Sequence, residues 1–327
     1  MFVAACGVAP AGDDFVDEFS DGGKADGALA HEPTQYPIVL VHGFNASPAH
    51  NGWSPDVVGA LCADGHSVFA PALPPFASVA DRGAALAAAV DDALAGGRDA
   101  CGNVPLVRPA RVNLIAHSMG GLDARYLVAS LGYGDRVGAL VTLSTPHRGS
   151  AIADMALGLL ANVDADALRS MGQLIERGLD TPSTVEPDVR AAFESLAEAS
   201  APAFNAENVD DARVHYESWA GLSNVAGIAN PQDLGACDGK LRGFDAARDR
   251  HVMHVALKAI AAAVAHGAAL RPNDGLVQVA SAKWGTFRGC VPADHVDEVS
   301  AFARSITPFP TVAWARGRAF ELAAAGY

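Results

Sequence analysis

The stretch Val112-Asn113-Leu114-Ile115-Ala116-His117-Ser118-Met119-Gly120-Gly121 constrains this chain more than any other. An apolar run that reads as a buried strand stops at a serine among small residues, and Leu122–Leu131 resumes with apolar residues at helical spacing. A strand that turns sharply into a helix through a serine lifts the hydroxyl above the sheet. It also leaves the unpaired N–H groups of the helix start beside that hydroxyl. The turn needs small neighbours because the helix crosses close to the strand. Gly120 and Gly121 supply them, and Ala116 stands where the usual G-x-S-x-G pattern has its first glycine. Taken alone, such a serine is equally well an ordinary strand-to-helix connection.

Two later segments bear on that choice. Arg271-Pro272-Asn273-Asp274-Gly275 is a polar, turn-rich stretch, and Ala293-Asp294-His295-Val296-Asp297-Glu298 is a second polar loop. A serine nucleophile needs a base to take its proton, and the base needs a carboxylate to fix its tautomer. Ser118, Asp274 and His295 supply all three in the order Ser, Asp, His. In isolation Asn-Asp-Gly is a turn signal and His295 a surface-loop histidine; only the conjunction argues for chemistry. Upstream, Tyr36–Val41 reads as an apolar strand running into His42-Gly43-Phe44. The expected oxyanion donors are the backbone N–H groups of Phe44 and Met119. His42 precedes the donor and reads as a loop-ordering residue; His117, beside Ser118 in a tight turn, reads as structural.

These segments resemble the true lipases of the bacterial family that includes the Pseudomonas and Burkholderia enzymes. The resemblance is carried by Tyr36–Phe44, Val112–Tyr126, Thr142–Ser150, Tyr216–Gly221, Asn273–Val277 and His295–Val299. The elbow itself, Ala-His-Ser-Met-Gly-Gly, is similar to that of small lidless Bacillus lipases. The resemblance implies an α/β-hydrolase fold, with Ser118 as nucleophile, Asp274 as orienting acid and His295 as base. It implies hydrolysis of triacylglycerols at an oil–water interface, outside the cytoplasm. A short-chain esterase, a phospholipase or an acyltransferase would use the same groups, and a silent hydrolase fold that binds lipid is the non-enzymatic alternative. Some members need a dedicated folding chaperone, and the sequence leaves that partner open. The family also carries a structural calcium ion near the histidine loop. Asp297 matches one carboxylate ligand, and the carbonyls of Ala301 and Ser305 would complete the site. The second carboxylate has no match: His254 falls at its place, and Asp249 is merely the nearest acid.

Periodicity elsewhere fits a mostly parallel sheet with helices on both faces. Strands are expected at Ile38–Val41, Ser67–Ala70, Val112–Ala116, Ala139–Ser144, Val214–Trp219 and Leu276–Val279. Helices are expected at Asp81–Ala95, Met119–Leu131, Asp249–Ala265 and Thr311–Ala325, the last with Trp314, Phe320 and Leu322 in the core. Residues 34–327 form the hydrolase domain, interrupted at about 150–204 by a helical lid or fixed cap. There Met155, Leu157, Leu159 and Leu160 would face lipid or the acyl pocket; Asp166–Leu179 and Asp188–Ala199 also read as helical. A formal net charge of −14 argues against nucleic acid as a partner, and no apolar run reaches the roughly 20 residues of a membrane span. Residues 1–33 read as a disordered acidic tether. Val3-Ala4-Ala5-Cys6-Gly7 resembles the end of a lipoprotein signal with a lipid anchor at Cys6, although the apolar run that should precede it is missing. The other cysteines, Cys62, Cys101, Cys237 and Cys290, allow three pairings. Cys62–Cys101 with Cys237–Cys290 is preferred over the other two, with buried free thiols as the alternative.

Overall fold

The computed structural model describes residues 32–44, 46–47, 52–105, 107–164, 166, 173, 187–228, 230–242, 251–300 and 309–327. In chain order these form β1 (Ile38–Val41), α1 (Pro55–Ala63), β2 (Val68–Phe69), α2 (Val79–Ala95), β3 (Val112–His117), α3 (Met119–Ala129), β4 (Val137–Leu143) and α4 (Ala151–Leu160). They continue through α5 (Val189–Leu196), α6 (Ala201–Glu207), β5 (His215–Gly221), α7 (Val255–Val264), β6 (Thr286–Val291) and α8 (Thr311–Ala324), with one-turn helices between. Every residue of β1, β3 and β4 is buried, which is why these strands read as unbroken apolar runs rather than alternating ones.

The strands make one parallel, six-stranded sheet in the order β2-β1-β3-β4-β5-β6. Helices α1 and α8 cover one face, where Trp53 stacks on Trp314 at 6.0 Å and Leu61 and Leu322 fill the gaps. Helices α2 and α3 cover the other through Leu86, Val90, Ala124 and Leu127. The chain enters at β1, steps out to β2 and crosses back to β3. The strand order therefore reverses between β1 and β3, and the crevice at their carboxyl ends is where this topology leaves room for a ligand.

Several boundaries differ from the sequence reading, each for a local reason. Leu276–Val279 is not a strand: Asp274 draws the N–H groups of Leu276 and Val277 into a turn, and a short helix starts at Val279. The sixth strand is Thr286–Val291, whose glycine and arginine broke up the apolar signal. Helix α1, unforeseen, starts at Pro55 behind the capping hydroxyl of Ser54. Helix α7 begins only at Val255, because the His254 side chain caps it and Val252 bridges to Asn224 instead. Asp249 lies outside the described residues. Trp314 and Leu322 are core, but Phe320 is half-buried beside His66. The disulfides are Cys62–Cys101 and Cys237–Cys290, as expected. Cys6 and the rest of residues 1–31, Ala301, Ser305 and most of Asp166–Leu179 lie outside the described residues.

Candidate active site

Ser118 sits between the last residue of β3 and the first of α3 at φ 55°, ψ −131°, a conformation L-residues seldom adopt. Both sides hold it there. Its N–H continues the sheet ladder to the Leu143 carbonyl (3.0 Å), while its own carbonyl accepts the Gly121 N–H (3.1 Å) and opens the helix. The approach tolerates no side chain from two directions. A Cβ on Gly43 would lie 2.7 Å from the Ser118 Cβ, and one on Gly120 would lie 2.7 Å from the Val41 carbonyl oxygen. The serine hydroxyl makes no helix cap; it faces the His295 Nε2 at 2.8 Å.

His295 Nδ1 lies 2.8 Å from the Asp274 Oδ2, which assigns that nitrogen as the N–H donor. The other oxygen, Oδ1, accepts the N–H groups of Leu276 (2.8 Å) and Val277 (2.7 Å), so the carboxylate serves as an acceptor throughout. The His295 N–H also donates to the Asp274 carbonyl (3.0 Å), locking the two loops in register. Ser118 and His295 retain 8% and 6% exposure and Asp274 none, so the chain of groups reaches solvent only at its serine end.

That end opens into an apolar cavity of about 320 Å³ lined by Phe44, Ile152, Phe193, Leu196, Leu276 and Val299, with Ser118 and His295 in its wall. Phe44 is fixed between Phe76 and Phe193, each at a centroid distance of 5.1 Å. The loop carrying Phe44 is braced from beneath. His42 donates from Nδ1 to the Gly43 carbonyl (3.0 Å) and accepts the Leu73 N–H on Nε2 (2.9 Å). Burial and the nearby Arg82 guanidinium push its pKa down to about 3, so it is a neutral loop brace. Arg82 is itself fully buried. It pairs with Asp123 of α3 at 2.8 Å and donates to the carbonyls of His42, Gly43 and Pro74. Met119, first residue of α3, has no intrahelical acceptor for its N–H.

Helices α4 and α5 contribute to the cavity wall. Ala153 of α4 is buried, Ile152 lines the cavity and Leu157 packs on the same cluster. Met155 and Leu159 point outward with 47% and 79% exposure, so the apolar residues of α4 divide between cavity roof and surface.

Sequence reasoning missed three residues of this region. Arg82 fell inside the expected helix Asp81–Ala95 with nothing to set it apart. Ser144 and Glu298 gave no local signal, since their partners are distant in sequence. Glu298 is fully buried, and its carboxyl lies 2.6 Å from the Ser144 hydroxyl and 2.9 Å from the His117 Nε2.

The calcium expectation fits poorly. Calcium requires several oxygen ligands. Asp297 instead holds the His251 Nε2 at 2.7 Å, and Ser223 fixes the opposite ring nitrogen at 2.8 Å. Asp294, whose ligand atoms come within 4.8 Å of those of His251 and Asp297, already accepts the N–H groups of His254, Val296 and Asp297. The other such group among the described residues, His117, His295 and Glu298, includes the imidazole already committed to Ser118 and Asp274.

Comparison with known proteins gives this geometry a setting. The model of a PGAP1-like alpha/beta domain matches residues 104–171. Triacylglycerol lipase 2 of Saccharomyces cerevisiae is 30% identical over 191 residues, covering 58% of this chain; the chain spans about half, 46%, of that relative. The triacylglycerol lipases of Pseudarthrobacter phenanthrenivorans and Burkholderia plantarii are each 28% identical over 313 residues, covering 84% of this chain and 91% and 81% of theirs. The crystal structure of Staphylococcus hyicus lipase superposes with a TM-score of 0.60 at 17% identity, covering 92% of this chain and 99% of that one, a likeness of fold. This chain is thus similar over most of its length to bacterial triacylglycerol lipases, and its fold is that of solved lipases such as the Staphylococcus hyicus enzyme.

Proposed function

We propose that the protein is a carboxylic ester hydrolase acting on lipids, with triacylglycerols as its substrate class, through two-step acyl transfer. One observation carries the reading: the unbroken hydrogen-bonded series Ser118–His295–Asp274 opening into an apolar cavity. The ester carbonyl stands over Ser118 and the acyl chain enters the cavity. His295 Nε2 takes the hydroxyl proton as Oγ attacks, and the imidazolium is stabilised by Asp274. The oxyanion forms against the N–H groups of Phe44 and Met119. The alcohol leaves with the proton from His295; a water activated by the same nitrogen then frees the acid and restores the serine. Helices α4 and α5 act as the lid, with Met155 and Leu159 as its lipid-facing side. The two disulfides support a place for the enzyme outside the cytoplasm, in an oxidising compartment.

Hydrolysis of an emulsified long-chain triacylglycerol, compared with a soluble short-chain ester, tests this directly. The emulsion is expected to be cleaved, with a jump in rate as substrate passes from monomers to droplets. Ser118→Ala is expected to lose activity on both substrates at an unchanged melting temperature. Cleavage of the short ester alone would make the protein an esterase under a fixed cap; activity in Ser118→Ala would remove the mechanism.

A further inference from the structure

His295 stands between two acids of its own loop, Asp294 and Asp297, and both are buried. One short segment, residues 251–254 just ahead of α7, takes hold of both. At its end the His254 N–H donates to the Asp294 Oδ2 at 2.6 Å. At its start the His251 ring, itself buried, sets Nε2 2.7 Å from the Asp297 Oδ2. The opposite nitrogen, Nδ1, lies 2.8 Å from the Ser223 Oγ, and the Ser223 N–H donates to the Asn273 carbonyl at 3.1 Å. Asn273 adjoins Asp274, so a single imidazole links the loop of the base to the loop of the acid. The mechanism above uses none of these bonds.

This is also where the resemblance to lipases implied a calcium ion, and the donors here are of another kind. Calcium takes about six to eight oxygen ligands. The place implied for the second carboxylate falls at His254, whose ring turns to α7 and accepts the Ala256 N–H at 3.3 Å. Asp294 has both oxygens committed, Oδ2 to His254 and Oδ1 to the N–H groups of Val296 and Asp297. The side chain that faces Asp297 is a nitrogen donor. A carboxylate only accepts, so Nε2 carries the proton between them. The Ser223 hydroxyl can donate or accept at Nδ1, so the same bonds serve a neutral and a charged ring. An N–H thus meets the carboxylate where an ion would, and it comes from a residue built into the scaffold.

We propose that His251 stands in for the metal: it is the positioning residue that fixes the His295 loop through Asp297 and Ser223, and the loop keeps its shape without calcium. The bearing on catalysis rests on the reading of His295 as the base; the bearing on stability does not. His251 does not line the cavity beside Ser118, so its effect reaches the reaction through the loop.

The test is thermal melting of the wild type with added calcium chloride and with EDTA, alongside the kinetics of variants on a soluble ester. The wild type is expected to melt at the same temperature in both solutions. A bound ion that favours the folded state would separate them by several degrees, and that separation would overturn the proposal. His251→Ala is expected to melt lower and to lose up to about 10²-fold in kcat with KM unchanged, the cost of a base moved by about an ångström. His251→Gln, which keeps an amide N–H for Asp297, is expected to recover most of both. Wild-type kcat in a folded His251→Ala would overturn the proposal, as would a glutamine variant no better than the alanine one. His251→Asp returns the missing carboxylate and is expected to make melting calcium-dependent. A folded His251→Asp indifferent to calcium would mean that His251 does not occupy the ion's place, and would also overturn it. If His251→Ala does not fold, Ser223→Ala takes its place: a lowered kcat at unchanged KM supports the link, and wild-type kcat overturns it. An inactive wild type, or activity in Ser118→Ala, would instead sink the reading of His295 and leave the melting result standing.

Discussion

Ser118 occupies an N-cap position yet gives its hydroxyl to His295, and on the proposed function that one diversion is what makes a helix start reactive. The strain at φ 55° is sustained by the sheet and helix bonds on either side, so it comes from the fold rather than from the serine. Glu298 shows the same dependence through protonation. Its pKa is raised in the folded protein by burial and the Asp274 charge, so above about pH 4.5 the folded state holds a proton that the unfolded chain releases. Its contribution to stability is therefore complete below that pH and is lost as the pH climbs toward the raised value. Over that span the folding constant should fall tenfold per pH unit. Denaturant titrations at successive pH values above 4.5 should show stability falling more steeply in the wild type than in Glu298→Gln; parallel slopes would mean the carboxyl is ionised when folded.

At the scale of elements, the loop after β1 is held by a residue of α2. Arg82 spends its guanidinium on three carbonyls around that loop and on Asp123 of α3, tying both helices of one face to the loop of Phe44. Burial raises the Asp123 pKa to about 6 even with Arg82 present, a measure of how dry the pair is. Arg82→Ala would leave that acid buried without its partner, at a cost of about 3–5 kcal/mol. Arg82→Lys would recover only part, because an ammonium cannot serve donors in a fixed fork. Chemical denaturation of the two variants checks this; losses below about 1 kcal/mol would show that the brace is not structural. Elements whose signal is local were readable in the sequence: the all-buried strands β1, β3 and β4, the Ser118 turn and the Asn273–Gly275 turn. Elements decided by distant partners were not. Strand β6 is polar enough to read as a loop until β5 pairs with it, and Glu298 sits in an acid-rich stretch that looks solvated until Ser144 and His117 arrive from other strands.

For the whole molecule, the order β2-β1-β3 brings the loop after β1 beside the turn after β3, while the β5 and β6 side of the sheet delivers Asp274 and His295 from the far end of the chain. Residues spread from 43 to 299 thus meet in one cavity. The sequence shows such groups and their order, but their meeting requires the sheet. Two disulfides fasten the two halves separately. Cys62–Cys101 closes a span of 39 residues around β2 and α2, and Cys237–Cys290 closes 53 residues ahead of the His295 loop. Loops of that size stabilise by roughly 2–5 kcal/mol each, so reductant should lower the melting temperature markedly. Cys237→Ser with Cys290→Ser should lower activity more than the Cys62–Cys101 counterpart, since only that bridge adjoins His295; equal effects would contradict this. The central claim is that Ser118 is an activated nucleophile. A fluorophosphonate probe followed by peptide mass mapping tests it most directly. The account predicts one stoichiometric adduct, on Ser118, absent from Ser118→Ala and slowed by orders of magnitude in His295→Ala. No adduct on the folded wild type, or an adduct on another serine, would contradict it.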